Sequence, residues 1–274
     1  MLSIIISSYQ PNFYSALEKN IAETIGIPYE IIKIDNAGKM GICKAYNIGA
    51  SQSQFDFLLF LHEDVKFITK NWGEELMKNI NLRPNFKIMG IAGNNYIPHT
   101  PAPWWCIQET CNSNIIHTCK KTENSVRYSF GENFLPAKYI DGVFIFCTKK
   151  NWLENKFDER NEGFHAYDVK FSFDSYQKDT VLLINNVLLE HYSLGNLDQN
   201  WMNSLIEFWT YKNPEKYNYN FELTAYKFFA DQLRHLKYPK KKTLKLLIHY
   251  YSIKRFGIKN SMYAIKKIFD ILRF

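Results

Sequence analysis

The sequence predicts an α/β fold, with a mostly parallel central sheet flanked by helices and a helical, basic C-terminal extension. Short apolar runs typical of buried strands alternate with stretches whose apolar residues recur every three or four positions. From about Trp201 onward the pattern is helical. The net charge of +7 is uneven, because residues 232–274 hold twelve Lys or Arg against one acid, Asp270.

Length and composition exclude several classes of protein. A chain of 274 residues, of which 46% are hydrophobic and 22% charged, is neither disordered nor fibrous and is long enough for one large domain with an appendage. Its apolar runs are much shorter than the ~20 residues of a membrane span. Met1 is followed by Leu2 without a basic region, so we expect no signal peptide. The five cysteines form no CxxC pair and are expected to be reduced in a cytosolic compartment.

The predicted elements alternate along the first two thirds of the chain. In the first helix Leu17, Ile21 and Ile25 recur at four-residue spacing. Residues 94–138 show no sustained periodicity and are predicted to form a long loop, which is usually functional or mobile. The predicted strands are 2–6, 29–34, 55–61, 87–92, 139–147 (interrupted at Asp141-Gly142) and 180–189, and the predicted helices are 14–25, 42–51, 72–80 and 168–176.

Polar residues follow the first three strands at the point where each ends. These are Ser7-Ser8, Asp35-Asn36 and His62-Glu63-Asp64. In parallel sheets ligands bind beyond the carboxyl ends of the strands, so this edge is the predicted binding site. An acidic pair there could hold a divalent cation together with substrate phosphates, although acids at strand ends are also common as solvated turn residues.

Ordered motifs along the chain resemble family 2 glycosyltransferases of the GT-A (nucleotide-diphospho-sugar transferase) fold. The subgroup they resemble is a bacterial one with His-x-Asp-Val in place of DxD. The resemblance covers about residues 1–200, which implies a catalytic domain over 1–200 and a helical basic extension over 201–274. The motifs are Ser7-Ser8-Tyr9, Asp35-Asn36, Lys44 with Asn47-x-Gly49, LHEDV (61–65), DGVF (141–144), FDE (157–159), FHAYDV (164–169) and HYSLG (191–195).

The resemblance implies a metal site and a catalytic base. Asp64 looks like the last acid of DxD, which ligates Mn²⁺ or Mg²⁺ on the diphosphate. His62 replaces the first acid, which leaves the metal geometry open. His191 is similar to a late histidine that serves as a further ligand, or else it is a structural residue at a strand end. Asp168 resembles the base of inverting members, and its alternative is to cap the helix that follows.

The resemblance also implies a donor site. Asp35 looks like the contact to the base or ribose, since a carboxylate can accept hydrogen bonds from uracil or from ribose hydroxyls. Tyr9 could stack on the base. Lys44 resembles a basic residue near the diphosphate, and its alternative is a solvated helix face. The residues expected to bind a nucleotide sugar, with UDP favoured, are Ser7, Ser8, Tyr9, Asp35, Lys44 and Glu63.

Two further features surround this site. In similar enzymes the Asp141-Gly142 region faces the acceptor, and Trp104-Trp105 could form a platform for a sugar ring or a lid that packs on the core. A second set combines cysteines and histidines, but it lacks the close cysteine pair of structural zinc sites, so zinc is not expected. That set is Cys106, Cys111 and Cys119 with His99 and His117.

The basic extension contains one apolar helical stripe. Ile258, Met262, Ile265, Phe269 and Leu272 recur at alternating four- and three-residue steps, with lysines off the stripe. Residues 240–274 could therefore lie on an anionic membrane surface. Alternatively the stripe packs on the catalytic domain or on a second subunit, which leaves a homodimer open. Nucleic acid is not expected as a partner.

We therefore expect a metal-dependent, inverting glycosyltransferase. It would move a sugar from a nucleotide sugar to a hydroxyl of a glycan or of a polyprenyl- or lipid-linked saccharide, in bacterial surface polysaccharide synthesis. The enzyme would be cytoplasmic, or peripheral on the inner face of the cytoplasmic membrane. The alternatives are a non-catalytic carbohydrate- or membrane-binding module and a nucleotidyltransferase, although the latter normally has a Gly-rich phosphate loop, which Ser7-Ser8-Tyr9 is not.

Overall fold

The computed structural model describes residues 1–118, 125–127, 133–176, 180–193, 195–210 and 217–273. Cys119, Leu194 and the side chain of Leu272 lie outside this description. The strands are Leu2–Ser8 (β1), Tyr29–Asp35 (β2), Phe57–Leu61 (β3), Val65–Phe67 (β4), Phe86–Gly90 (β5), Ala92–Asn94 (β6), Cys111–Ser113 (β7), Ile115–Thr118 (β8), Ser125–Arg127 (β9), Phe134–Ala137 (β10), Tyr139–Ile140 (β11), Phe144–Thr148 (β12), Thr180–Ile184 (β13) and Leu189–His191 (β14). The helices are Pro11–Thr24 (α1), Ile42–Gln52 (α2), Trp72–Leu82 (α3), Lys149–Glu154 (α4), Tyr167–Tyr176 (α5), Gln199–Phe208 (α6), Tyr219–His235 (α7), Lys240–Tyr250 (α8) and Ile253–Arg273 (α9).

The central sheet is mostly parallel, as predicted. Among the described residues it has seven strands in the order β10-β13-β5-β12-β3-β1-β2. Strand β1 runs parallel to β2 and β3, and β5 runs parallel to β13. The antiparallel members are β12, between β3 and β5, and β10 at the edge. The carboxyl ends of β1, β2 and β3 therefore meet at one edge, where the site was expected.

Side chains of the central strands alternate between two buried cores on opposite faces of the sheet. In β1, Ile4 and Ile6 contribute to one core and Ile5 to the other. In β3, Leu59 and Phe60 are divided in the same way. This alternation is what a period of two residues predicts for a sheet that helices cover on both faces.

The predicted long loop over residues 94–138 is wrong. This region holds several short strands, which join two small sheets in the orders β11-β6-β7 and β4-β14-β8-β9. The predicted strand 180–189 is also divided, because β13 ends at Ile184 and β14 begins at Leu189. Strands of three or four residues hold too few positions for an alternating pattern to show in the sequence.

The C-terminal helices are joined to the sheet by buried contacts. In helix α6, Leu205 packs in the core that contains Ile4 and Ile6, which is called the main core below. Met202 of the same helix packs in a third core that α7, α8 and α9 share. The Glu222 carboxylate of α7 has no exposed surface, and it accepts hydrogen bonds from Tyr96 Oη (2.7 Å) and His99 N (3.0 Å). Among the described residues, no helix combines the length and the apolar character needed to cross a membrane.

Candidate active site

Three potential metal ligands meet where β3 ends. His62 and Asp64 follow β3 directly, and the antiparallel pairing of β4 with β14 places Val65 opposite His191. His191 is therefore beside Asp64, and its Nε2 lies 3.3 Å from Asp64 Oδ1. One ligand atom from each of His62, Asp64 and His191 lies within 4.8 Å of the others. The pairing of two strands of three residues thus assembles a group that is dispersed in the sequence.

The electrostatics of this group suit a cation. Burial lowers the pKa of His62, and neighbouring His191 lowers it further, so the imidazole is neutral at pH 7. Burial acts to raise the pKa of Asp64, but His191 and His62 outweigh it and hold the pKa below its ordinary value. His191 Nε2 is buried, and its 3.3 Å approach to Asp64 Oδ1 does not have the geometry of a hydrogen bond. A neutral His62 imidazole, an ionised Asp64 carboxylate and the buried His191 Nε2 fit a divalent metal ion.

A buried tyrosine orients His62. The hydroxyl of Tyr167 lies 2.6 Å from His62 Nε2, while His62 Nδ1 is the nitrogen nearer to Asp64, at 3.9 Å from Oδ1. An ideal Cβ on Gly142 would lie 2.1 Å from that hydroxyl, so any side chain there would displace it. Position 142, between β11 and β12, accommodates only glycine, because Tyr167 occupies the space that a side chain would need.

Asp168 stands in the first turn of α5, next to this network. Its Oδ2 accepts a hydrogen bond from Gly142 N (3.0 Å) and its Oδ1 one from Val169 N (2.9 Å). Since α5 begins at Tyr167, Asp168 lies within its first turn and not at its N-cap position. Burial, and then the negative charge of Asp141, raise the pKa of Asp168 to about 7. A carboxylate with that pKa can accept a proton at neutral pH.

A cavity of about 790 Å³ joins Asp168 to two of the three potential ligands, His62 and His191. Asp141 also lines it, but both of its oxygens are engaged, Oδ2 by Trp104 Nε1 (2.6 Å) and Oδ1 by Val143 N (2.8 Å). Apolar and aromatic side chains form much of the remaining wall, in keeping with a small-molecule site. They include Trp104, Trp105, Phe164, Trp201 and Leu205.

The two tryptophans of the predicted platform have different surroundings. Trp104 is buried in the main core, and its Nε1 donates a hydrogen bond to Asp141. Its surroundings agree with the alternative of a residue that packs on the core. Trp105 keeps 38% of its surface exposed and packs edge-on against Phe228 of α7, with ring centroids 5.4 Å apart. Only Trp105 of this pair therefore combines exposure with a place on the cavity wall.

His117 is a cavity residue that the sequence analysis did not assign to the site. Strand β8 runs parallel to β14 and places His117 opposite His191, with ring centroids 5.8 Å apart. The Nδ1 atom of His117 is buried and has no hydrogen-bond partner. The sequence held no usable signal for this position, because β8 is a four-residue strand within the region predicted as a loop.

Four of the predicted donor-binding residues lie together at the ends of β1 and β2, outside the cavity wall. Ser8 and Asp35 are neighbours in the parallel register. Asp35 is exposed, and its ion pair with Lys33 (2.7 Å) lowers its pKa. Tyr9 is 62% exposed, which leaves its ring free to stack. The fourth residue is Ser7, whose Oγ accepts a hydrogen bond from Asn36 Nδ2 (3.1 Å).

The other two predicted donor residues, Lys44 and Glu63, differ in their exposure to solvent. Lys44 is exposed in the first turn of α2. Glu63 is only 4% exposed, and its Oε1 accepts hydrogen bonds from the backbone N–H groups of Tyr9 (3.1 Å) and Gln10 (3.0 Å). The Gln10 side chain gives α1 no cap, so the Glu63 carboxylate satisfies the helix N-terminus instead and fixes the backbone of Tyr9.

Comparison with known proteins gives a family and a fold. The model of a family described as "Glycosyltransferase like family" matches residues 3–226. No curated protein matches the sequence.

Solved structures resemble this chain over nearly its whole length. S. aureus TarS 1–349 superposes with a TM-score of 0.54 at 13% identity, covering 99% of this chain and 89% of that one. In complex with UDP-GlcNAc, the same protein gives 0.56 at 11% identity with the same coverage. GalNAc-T7 with UDP, GalNAc and Mn²⁺ gives 0.54 at 10% identity, covering 99% of this chain and 57% of that one. The likeness confirms the predicted GT-A fold.

Proposed function

The chain belongs to this glycosyltransferase-like family, and from that premise we propose that it is an inverting enzyme that uses a UDP-sugar and a divalent metal ion. The observation that carries the proposal is that Asp168, with a pKa of about 7, shares one cavity wall with His62 and His191 of the potential metal site. The crystal structures of TarS and GalNAc-T7 with UDP support the choice of nucleotide.

On the donor side, this chain's residues would hold the nucleotide at the ends of β1 and β2. Asp35 would accept hydrogen bonds from uracil or ribose, the Tyr9 ring would stack on the base, and Lys44 would approach the diphosphate. His62, Asp64 and His191 would hold the metal ion, which neutralises charge on the leaving diphosphate when it is bound. Two imidazoles and one carboxylate favour Mn²⁺ over Mg²⁺, which prefers oxygen ligands.

On the acceptor side, Asp168 would act as the base. A hydroxyl that attacks the anomeric carbon must lose its proton, and the ionised Asp168 carboxylate would accept it. Asp141 would support this role, because its negative charge helps to raise the pKa of Asp168. One base and one direct displacement invert the configuration at the anomeric carbon. The aromatic wall around Asp168 would hold a saccharide acceptor, either a growing surface glycan or a lipid-linked sugar.

Calorimetry tests the donor and metal assignments. Wild-type protein should bind UDP in the presence of Mn²⁺ and lose at least ten-fold in affinity in EDTA, because the diphosphate then lacks its counter-charge. Asp64→Asn should show the weak affinity even with Mn²⁺ present. Asp56→Asn, on an exposed position before β3, is the matched control and should bind as wild type. UDP binding that is equally tight in EDTA and in Asp64→Asn contradicts the metal assignment.

The stereochemistry of the product tests the mechanism separately. With an α-linked UDP-sugar, proton NMR of the purified product should show a β linkage. An α-linked product would exclude the single displacement and, with it, the role of Asp168 as the base of an inverting reaction.

A further inference from the structure

The last helix exposes a continuous apolar stripe. Gly257, with φ +70°, interrupts α9, and the helical segment beyond it carries four apolar side chains at steps of four, three and four residues. This spacing places them on one face. They are Ile258, Met262, Ile265 and Phe269, which are 79%, 69%, 41% and 58% exposed.

Another side of the same segment is already packed. Ala264 and Ser261 are buried, and Ala264 joins the core shared by α7 and α8. Lys267 also points toward α7, where its Nζ pairs with Asp231 Oδ1 at 2.5 Å. The segment is therefore fixed to the protein by one face while its apolar stripe faces outward. Packing of these four residues on the catalytic domain, an alternative left open by the sequence, is wrong.

Charge indicates what would cover the stripe. Lys259 and Lys266 are exposed and each follows a stripe residue by one position, about 100° around the helix. They form a basic border to the apolar face. A second copy of this chain, docked face to face, would bring four such lysines together, whereas an anionic lipid surface would pair with them. Residues 232–274 contain twelve bases and Asp270 as the only acid, so the whole C-terminal region favours an anionic surface.

We propose that this stripe docks on an anionic lipid bilayer. The helix would lie in the plane of the membrane, with its four apolar side chains between headgroups and acyl chains and its lysines against lipid phosphates. This inference goes beyond the proposed function and does not depend on the nucleotide, the metal or the base.

Vesicle co-sedimentation of the full chain tests the proposal. Wild-type protein should bind vesicles of phosphatidylcholine with about a third phosphatidylglycerol, and binding should fall at least ten-fold on pure phosphatidylcholine. Lys259→Glu/Lys266→Glu should reduce binding to the anionic vesicles by about ten-fold or more, since each basic residue near the surface contributes about a five-fold factor. Met262→Ser/Phe269→Ser should reduce binding on both vesicle types by removing the apolar insertion.

Matched controls come from helix α4, where Lys150 and Leu153 are also exposed. Lys150→Glu/Leu153→Ser should bind as wild type, and every variant should keep the wild-type melting temperature and affinity for UDP. Two results overturn the proposal. One is that the wild-type protein does not co-sediment with anionic vesicles. The other is a dimer in analytical ultracentrifugation that Met262→Ser/Phe269→Ser dissociates, because the stripe would then be a contact between copies.

Discussion

Two aspartates at the carboxyl edge of the sheet have opposite surroundings. Asp168 lies in the cavity wall, where burial and neighbouring Asp141 raise its pKa to about 7. Asp35 lies at the open end of β2, where the ion pair with Lys33 lowers its pKa. Asp168 can therefore exchange a proton near neutral pH, whereas Asp35 stays ionised and can only accept hydrogen bonds. The enclosed side of the site is suited to chemistry and the open side to recognition.

Asp168→Asn should have the largest effect and is the strongest test of the difference between the enclosed side and the open side. Transfer should fall by about 10³-fold, within the range that general bases contribute, because the amide cannot accept the proton of the attacking hydroxyl. The affinity for UDP should stay within two-fold of wild type, as measured by calorimetry on the same preparation. For wild type, kcat/KM should rise with pH up to about 7 and level off above it, since only the ionised carboxylate acts as base.

The control for this variant is Asp174→Asn on the same helix, where the carboxylate pairs with Lys170. It should transfer sugar at close to the wild-type rate. If Asp168→Asn keeps most of its activity, or if the acidic limb of the wild-type profile is missing, Asp168 is not the base.

Tyr167→Phe should have an intermediate effect on the enclosed side. The variant removes the hydroxyl that contacts His62 Nε2, so His62 loses its fixed orientation. Partners of this kind typically contribute about 10–100-fold to metal affinity. Electron paramagnetic resonance titration of Mn²⁺ should show that loss. Tyr226→Phe, which removes a buried hydroxyl that donates to Leu247 O, should bind Mn²⁺ as wild type. Equal affinities in the two variants contradict the positioning role.

Asp35→Asn should have the smallest effect, on the open side. Each hydrogen bond to the nucleotide at an exposed position contributes about 1 kcal/mol, so UDP affinity should fall by about five-fold while kcat stays near wild type. Steady-state kinetics with varied donor separates the two parameters. A drop in kcat with unchanged KM for the donor would mean that Asp35 acts on the reacting groups, and the division between the two sides would not hold.

The sequence was sufficient to predict the sheet and the edge that carries the site. Buried strands alternating with helices permit few arrangements other than a parallel sheet, whose carboxyl ends lie together. Ser8 and Asp35 are adjacent for that reason. Asp64, His191 and Asp168 were predicted from motifs, and the structure brings the first two within 3.3 Å.

What the sequence did not reveal depends on contacts between distant residues. His62 seemed only a departure from an acidic motif, but the β4–β14 pairing and the Tyr167 hydroxyl make it part of the potential metal site. Glu63 was expected to contact the donor, but the backbone N–H groups of Tyr9 and Gln10 engage its carboxylate. No periodicity reports such contacts, since each depends on how a turn closes in three dimensions.

Gly142 also affects how the site would be recognised in other chains. Its missing side chain leaves room for the Tyr167 hydroxyl, which orients His62, and its backbone N–H binds Asp168. One residue without a side chain therefore sets the spacing between the potential metal ligands and the proposed base. In a related chain, a side chain at this position would require a different residue at the position of Tyr167, since the two would occupy the same space.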